Sequence, residues 1–82
     1  MNKGVRFAQS TRKHRVGKAH ALYVMNLYDF EQDPEDSSRL RWLGNDVNGR
    51  ELEIVAIDLD EYLLVIHVMP TRRVKNYGNK EK

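Results

Sequence analysis

The chain has 82 residues, no cysteine, 32% charged residues and a net charge of +2 at pH 7. A chain of this length is expected to form one domain, residues 1–82, with a small core, which excludes a two-domain enzyme. The lack of cysteine excludes a disulfide framework and a thiolate metal site, and it favours a reducing, cytoplasmic setting. Neither a signal peptide nor a membrane span is expected, because the longest apolar run, residues 63–69, is short and interrupted by His67.

Charge is strongly segregated along the chain. Residues 1–28 carry a net charge of +6, residues 29–61 carry −8, and residues 62–82 carry +4. If the two basic ends meet in the fold, they form one face that can hold the phosphates of a polyanion such as RNA. The alternative from charge alone is two solvated basic ends without a common partner.

The N-terminal half predicts a short strand followed by one or two helices. The segment GVRF is typical of an edge strand, and the polar AQSTRKHRV after it is compatible with a helix capped by Ser10 or Thr11. From residue 17 to about residue 30, apolar residues recur at helical spacing, which predicts the main helix. The acid- and proline-rich EQDPEDSS is expected to be an exposed loop.

The C-terminal half predicts an antiparallel meander. RLRWLGN and ELEIVAIDL alternate polar and apolar residues on either side of the turn pair Asn48-Gly49, which indicates a β-hairpin with Trp42 in the core. YLLVIHVM is apolar on both faces, as in a central strand, and simple alternation places His67 on the same side as Val65.

The last segment, TRRVKNYGN, is expected to form a short C-terminal helix, and residues 1–4 and 79–82 are expected to be disordered. The predicted fold class is therefore α+β. It consists of an antiparallel β-meander of three to four strands with one or two N-terminal helices and a short C-terminal helix.

These segments together resemble a known family. RKHRV, an amphipathic helix, an acid-and-proline loop, RWLGNDVNGRELEIV, a further strand and a basic tail with a tyrosine are similar to the BrnT-like toxins of bacterial type II toxin–antitoxin pairs, over roughly residues 5–77. The resemblance implies a RelE-like fold, ribonuclease activity and a small antitoxin protein as partner. The chain departs from the family pattern where IHVMP replaces isoleucine-serine-alanine and a following cation, and where Arg15 replaces glycine.

Candidate site residues follow from the resemblance and from the chemistry of RNA cleavage. The residues that match family motifs are His14, Arg39, Arg50, Arg72, Arg73 and Tyr77. Cleavage needs a base for the 2′-hydroxyl, cations for the phosphorane and an acid for the leaving oxygen. The candidate catalytic residues are His67, Arg72, Arg73, Tyr77 and His14. The candidate RNA-binding residues are Arg12, Lys13, Arg15, Arg39, Arg41, Arg50 and Lys75.

No cofactor and no metal site are expected. His14 and His20 are six residues apart, which does not make them neighbours on one helical face, and no carboxylate accompanies His67 within its strand. The arginine, histidine and tyrosine side chains therefore carry the whole of the proposed chemistry.

Each candidate also has a structural interpretation. His67 is compatible with a half-buried packing residue, Arg72 and Arg73 with solvated cations, and Tyr77 with a residue that covers the core. Two functions stay open: a metal-independent ribonuclease, and a non-catalytic small protein that keeps the fold to bind RNA or a protein partner. A DNA-binding autoregulator is disfavoured, because no helix-turn-helix spacing is present.

Overall fold

The computed structural model describes residues 4–14 and 16–71, and for residues 12–14 it describes the backbone only. Along the chain the elements are β1 (Gly4–Phe7), a 3₁₀ helix (Gln9–His14), α1 (Lys18–Leu27), β2 (Glu31–Asp33), β3 (Asp36–Asn45), β4 (Glu51–Asp58) and β5 (Tyr62–Pro70).

The strands form one mixed sheet in the order β1-β5-β4-β3-β2. β1 is parallel to β5, and the other neighbouring strands are antiparallel. The predicted antiparallel meander of three to four strands with one or two N-terminal helices is therefore wrong. The described residues form five strands and a single α-helix. Local patterns missed this topology because β1 pairs with a strand almost sixty residues further along the chain. The predicted C-terminal helix lies outside the described residues.

Several local predictions are confirmed. GVRF is a strand at one edge of the sheet, residues 18–27 form the main helix, and β3 and β4 form a hairpin around the Asn48-Gly49 turn. Gly49 has a φ of 82°, a conformation that glycine adopts without steric cost. YLLVIHVM is a central strand. One detail differs: Gly4, which was expected to be disordered, is the first residue of β1.

The acid-rich segment EQDPEDSS is not a loop. It forms β2, a tight turn at Pro34 and Glu35, and the start of β3. Asp33 Oδ1 accepts a hydrogen bond from the backbone N–H of Glu35 at 2.9 Å, a contact that fixes such turns. The sequence did not indicate this hairpin because most of its residues are exposed on both faces, so no apolar alternation marks the strands.

The core lies between α1 and one face of the sheet. Ala21 and Val24 of the helix pack on that face, and Trp42 is 1% exposed, as predicted for a core residue. The sheet residues of this core are Leu40, Trp42, Leu52, Ile54, Ala56, Leu63, Val65 and Val68. We call the opposite side of the sheet, which carries Arg39, Arg41 and Glu53, the open face.

Asp46, in the loop between β3 and β4, joins this loop to α1. The residue is 4% exposed. Its Oδ1 accepts the backbone N–H groups of Asn48 and Arg50, each at 2.9 Å, and its Oδ2 lies 3.1 Å from His20 Nδ1 and 3.3 Å from Arg50 Nε. Burial raises the pKa of Asp46, but the hydrogen bonds from Arg50, Asn48 and His20 outweigh it, so the pKa lies below its usual value.

We expect Asp46→Asn to lower the free energy of unfolding at pH 7 by about 1–3 kcal/mol, because the donors of His20, Asn48 and Arg50 lose a buried anion. The folded-state pKa is below the unfolded value of about 3.9, so the carboxylate stabilises the fold above about pH 4 and this contribution is lost as pH falls through the folded pKa. Urea unfolding at pH 7 and pH 3 measures the difference, which should shrink at pH 3. Asp60→Asn, at an exposed position with positive φ that asparagine tolerates, is the control.

Gly44 is a second position on which packing at the helix end depends. A Cβ atom at Gly44 would lie 2.3 Å from Cδ1 of Tyr28, so we expect Gly44→Ala to displace the ring and destabilise the protein by about 1–3 kcal/mol in thermal or urea unfolding. Gly4→Ala, where no atom lies within 4 Å, is the matched control and should be nearly neutral. In a Tyr28→Ala background the cost of Gly44→Ala should largely vanish; an equal cost in both backgrounds would contradict the explanation.

Candidate functional site

The residues predicted from sequence to form a site are only partly described. Outside the described residues lie Arg15, Arg72, Arg73, Lys75 and Tyr77, and the same holds for the side chains of Arg12, Lys13 and His14. The described candidates are Arg39, Arg41, Arg50 and His67. The geometry of the site therefore rests on these four residues and their neighbours.

A β-bulge in β5 determines where His67 lies. Val55 of β4 pairs with His67 and the next residue, Ala56, pairs with Val65, so Ile66 is an extra residue on β5. The prediction that His67 shares the side of Val65 is wrong, because Val65 is fully buried in the core while His67 is half-buried beside Glu53 on the open face. The bulge thus places an imidazole on the open face.

Three neighbouring strands contribute to one charged cluster on the open face. Glu53 of β4 lies between Arg41 of β3 and His67 of β5. Its Oε2 accepts a hydrogen bond from Arg41 Nε at 2.7 Å, and its Oε1 lies 3.1 Å from His67 Nε2. Glu31 of β2 lies 3.6 Å from Arg41 Nη1. We call Arg41, Glu53 and His67 the open-face cluster.

The electrostatics of the open-face cluster fix the ionisation of Glu53. The hydrogen bond from Arg41 lowers the pKa of Glu53 against the opposing effect of burial, and the contact with His67 lowers it further. The same hydrogen bond raises the pKa of Arg41. Glu53 is therefore a carboxylate at neutral pH, and a fixed hydrogen-bond acceptor of this kind orients an imidazole.

The open-face cluster lies where two clefts meet. The larger cleft has a volume of about 480 Å³ and the smaller about 260 Å³, and both are lined by Arg41 and Glu53. The larger cleft is lined by Glu31, Gln32, Asp33, Pro34, Arg39, Arg41, Glu53, Val55 and His67. The smaller is lined by Arg41, Leu43, Glu51, Glu53, Met69 and Thr71. The two clefts thus share Arg41 and Glu53, and the larger one is lined mostly by polar and charged side chains.

The structure brings Arg39, Arg41 and His67 together in the larger cleft but leaves Arg50 out. Arg50 contacts Asp46 in the β3–β4 loop and lines neither cleft. Arg39 Nε is 3.9 Å from Asp33 Oδ2, so both arginines in the cleft have carboxylate neighbours. The larger cleft is therefore lined by two arginines and three carboxylates, Glu31, Asp33 and Glu53, and is not itself basic. The basic face predicted from sequence was to be formed by the two ends of the chain, and most of their cations lie outside the described residues.

Sequence reasoning missed Glu53 as a site residue. No carboxylate accompanies His67 within its own strand, but Glu53 lies beside it on the neighbouring strand. A signal was available: a hairpin that turns at Asn48-Gly49 with two-residue alternation places Arg41 and Glu53 on the same face. The sequence did not predict that His67 lies on this same face, because that placement depends on the bulge in β5.

Neither a metal-binding cluster nor a membrane-spanning helix is found in the described residues. In residues 4–14 and 16–71, no group of three or more histidine, aspartate or glutamate side chains is arranged to hold a metal ion. Within the same residues, α1 is too short to cross a membrane, and no other helix there meets the length and hydropathy that a span requires.

No protein-family model matches this chain, and no curated protein or solved structure matches it significantly. The similarity to BrnT-like toxins therefore stays a resemblance carried by short motifs, and the geometry of the open face is the remaining support for a function.

Proposed function

We propose that the protein cleaves RNA without a metal ion, with the open-face cluster as the reacting centre. The observation that carries the proposal is the placement of Glu53 between a guanidinium and an imidazole at the meeting point of two open clefts. Such a cluster combines a group that binds phosphate with a group that transfers protons near neutral pH. The RNA substrate and the cytoplasmic setting stay predictions from the sequence, and the small antitoxin partner is implied by the resemblance to BrnT-like toxins.

Proton transfer would centre on His67. The imidazole of His67, oriented by the contact of Nε2 with Glu53 Oε1, would accept the proton of the 2′-hydroxyl. The 2′-oxygen then bonds to phosphorus as the bond from phosphorus to the 5′-oxygen breaks, and the products are a 2′,3′-cyclic phosphate and a 5′-hydroxyl. Glu53 stabilises the imidazolium that forms, in the way that a buried carboxylate supports a catalytic histidine in other hydrolases.

Arg41 and Arg39 would bind the phosphates of the RNA. A guanidinium has five N–H donors, and the contacts of Arg41 to Glu53 and Glu31 leave donors for the oxygens of a phosphorane. Arg39 is two residues away on the same face of β3, where it can contact the next phosphate. The leaving 5′-oxygen needs a proton donor, for which the resemblance offers His14 and Tyr77.

The rival function is a non-catalytic binding protein, and one observation favours it. Arg39 and Arg41 both have carboxylates within 4.0 Å, so part of their charge is already neutralised before a polyanion arrives. Ion pairs of this kind reduce the electrostatic attraction between the cleft and RNA, which depends on unneutralised positive charge. A cleft held together by such pairs is also compatible with a role in fold stability alone.

Cleavage of a labelled single-stranded RNA by the full chain in EDTA tests the proposal. We expect a 5′-hydroxyl product and a 2′,3′-cyclic phosphate, with no cleavage of DNA of the same sequence because it lacks the nucleophile. His67→Gln should reduce the rate at least 100-fold, since general acid–base catalysis contributes about 10²–10⁴-fold. Arg41→Gln should cause a loss of similar size by removing charge stabilisation, which in comparable sites is worth about 10²–10³-fold.

Arg6→Gln is the matched arginine control, because Arg6 lies over the ring of Tyr62 on the opposite sheet edge and lines neither cleft. Its cleavage rate should stay within about threefold of wild type. Far-ultraviolet circular dichroism and urea unfolding check that each variant is folded. If wild type binds RNA without cutting it, the non-catalytic function replaces the enzyme; if EDTA abolishes cleavage or His67→Gln cuts as wild type does, the proposed mechanism is wrong.

A further inference from the structure

The smaller cleft lies next to the open-face cluster along β4. Glu53, the centre of that cluster, pairs with Leu43 of β3 on one side and with Met69 of β5 on the other. Both apolar side chains line the cleft, and Leu43 is 40% exposed. Glu51 is on the same face of β4, two residues or about 7 Å from Glu53, and lines the cleft together with Thr71. The cleft therefore has apolar sides and a carboxylate at the end away from Arg41 and His67.

Thr71, directly after β5, holds the carboxylate of Glu51 in place. The backbone N–H of Thr71 donates to the carbonyl oxygen of Glu51 at 3.0 Å, and the hydroxyl Oγ1 donates to Glu51 Oε1 at 2.5 Å. A carboxylate has about four lone-pair sites on its two oxygens, so one hydroxyl leaves acceptor sites for a ligand. Glu51 is thus oriented before a ligand binds, which lowers the entropy that binding costs.

Glu51 is held in a different way from the carboxylates of the larger cleft. Glu31, Asp33 and Glu53 each lie within 4.0 Å of an arginine nitrogen. The contact that holds Glu51 is with a neutral hydroxyl, which does not cancel its charge. An ionised carboxylate is a strong acceptor for N–H groups, so the end of the smaller cleft favours a ligand that carries N–H donors beside an apolar surface.

Guanine is the RNA base whose hydrogen-bonding edge fits this arrangement. Its Watson–Crick edge has two neighbouring donors, N1–H and the N2 amino group, which match the two oxygens of one carboxylate. Adenine and cytosine have one amino donor beside an acceptor nitrogen on this edge, and uracil has one N–H between two carbonyl oxygens. Proteins recognise the bases of single-stranded RNA on this edge, and their flat faces pack on aromatic or apolar side chains.

We propose that the smaller cleft binds the guanine base next to the phosphate that reacts at the open-face cluster. Glu51 would accept hydrogen bonds from N1–H and the amino group, with Thr71 as its positioning residue. Leu43 and Met69 would contact the base. Arg41, which lines both clefts, would bind the adjacent phosphate. The inference rests on the proposed function for its RNA substrate, and it adds a base preference that RNA cleavage does not require.

Nuclear magnetic resonance titration of the full chain with the 3′,5′-bisphosphates of guanosine, adenosine, cytidine and uridine tests the proposal. These probes have a phosphate on both sides of the nucleoside and lack the leaving group that cleavage requires. We expect saturable shifts at Leu43, Glu51 and Met69. The guanosine compound should bind about tenfold tighter than the other three, in line with the discrimination that a bidentate contact to a base provides.

Glu51→Gln should weaken binding of the guanosine compound about tenfold, because an amide offers one acceptor oxygen where the carboxylate offers two. Loss of a negative charge alone would strengthen binding of all four anions, so recognition and simple electrostatics predict opposite signs. Thr71→Val should reduce the preference for the guanosine compound, and Thr71→Ser, which keeps the hydroxyl, should restore it.

Glu61→Gln is the matched control. It makes the same change at an exposed position in the β4–β5 turn, at the opposite end of β4 from Glu51, and Glu61 lines neither cleft. All four affinities of this variant should stay within about twofold of wild type. Circular dichroism checks that each variant is folded.

Mapping of cleavage sites in a labelled RNA separates this inference from the proposed function. Selective binding of the guanosine compound by a protein that cuts no RNA would refute the ribonuclease and keep the guanine site. Equal rates of cleavage next to all four bases, equal binding of the four compounds, or no binding would overturn the guanine site and leave the proposed cleavage intact. Stronger binding of the guanosine compound by Glu51→Gln would also overturn it.

Discussion

The β-bulge at Ile66 is the constraint on which the arrangement of this protein depends. With the extra residue, Val65 and Val68 both enter the core and His67 still faces Glu53. Strict alternation from Val65 would place His67 in the core and Val68 on the open face. An imidazole inside a core of this size would lack a polar partner, at a cost of about 1–3 kcal/mol, so the bulge serves packing and the open-face cluster together.

How far the sequence predicts this fold varies with the range of the interactions. The helix and the β3–β4 hairpin follow from short-range signals, namely helical spacing of apolar residues and an Asn-Gly turn, and Trp42 follows from alternation within one strand. The parallel pairing of β1 with β5 joins the two ends of the described chain, and no local pattern encodes it. The bulge is hidden for another reason: residues 63–66 are all apolar, so a shift by one residue there leaves the pattern unchanged.

The charge pattern shows a similar limit. The sequence divides into basic ends and an acidic middle, but the fold brings individual cations and anions of the middle together: Arg41 with Glu53, Arg39 with Asp33, and Arg50 with Asp46. Segment charges predict long-range attraction, whereas the pKa of a group depends on neighbours within a few ångströms. This is why a region that is strongly acidic overall contains a cleft in which both arginines have carboxylate neighbours.

The two faces of the sheet therefore have different roles although the same strands form both. On the core side, β3 presents Trp42 and Gly44, which hold Phe30 and Tyr28 in place and leave part of each ring exposed. On the open side, the residues that alternate with them include Arg41, which holds Glu53 as a carboxylate beside His67. Because alternate residues of one strand support both surfaces, a slip of β3 by one residue would displace the rings of Phe30 and Tyr28 and destroy the open-face cluster together. The register of the β3–β4 hairpin, set by the Asn48-Gly49 turn and by the buried Asp46, is consequently as important for any function of this protein as the side chains that would carry it out.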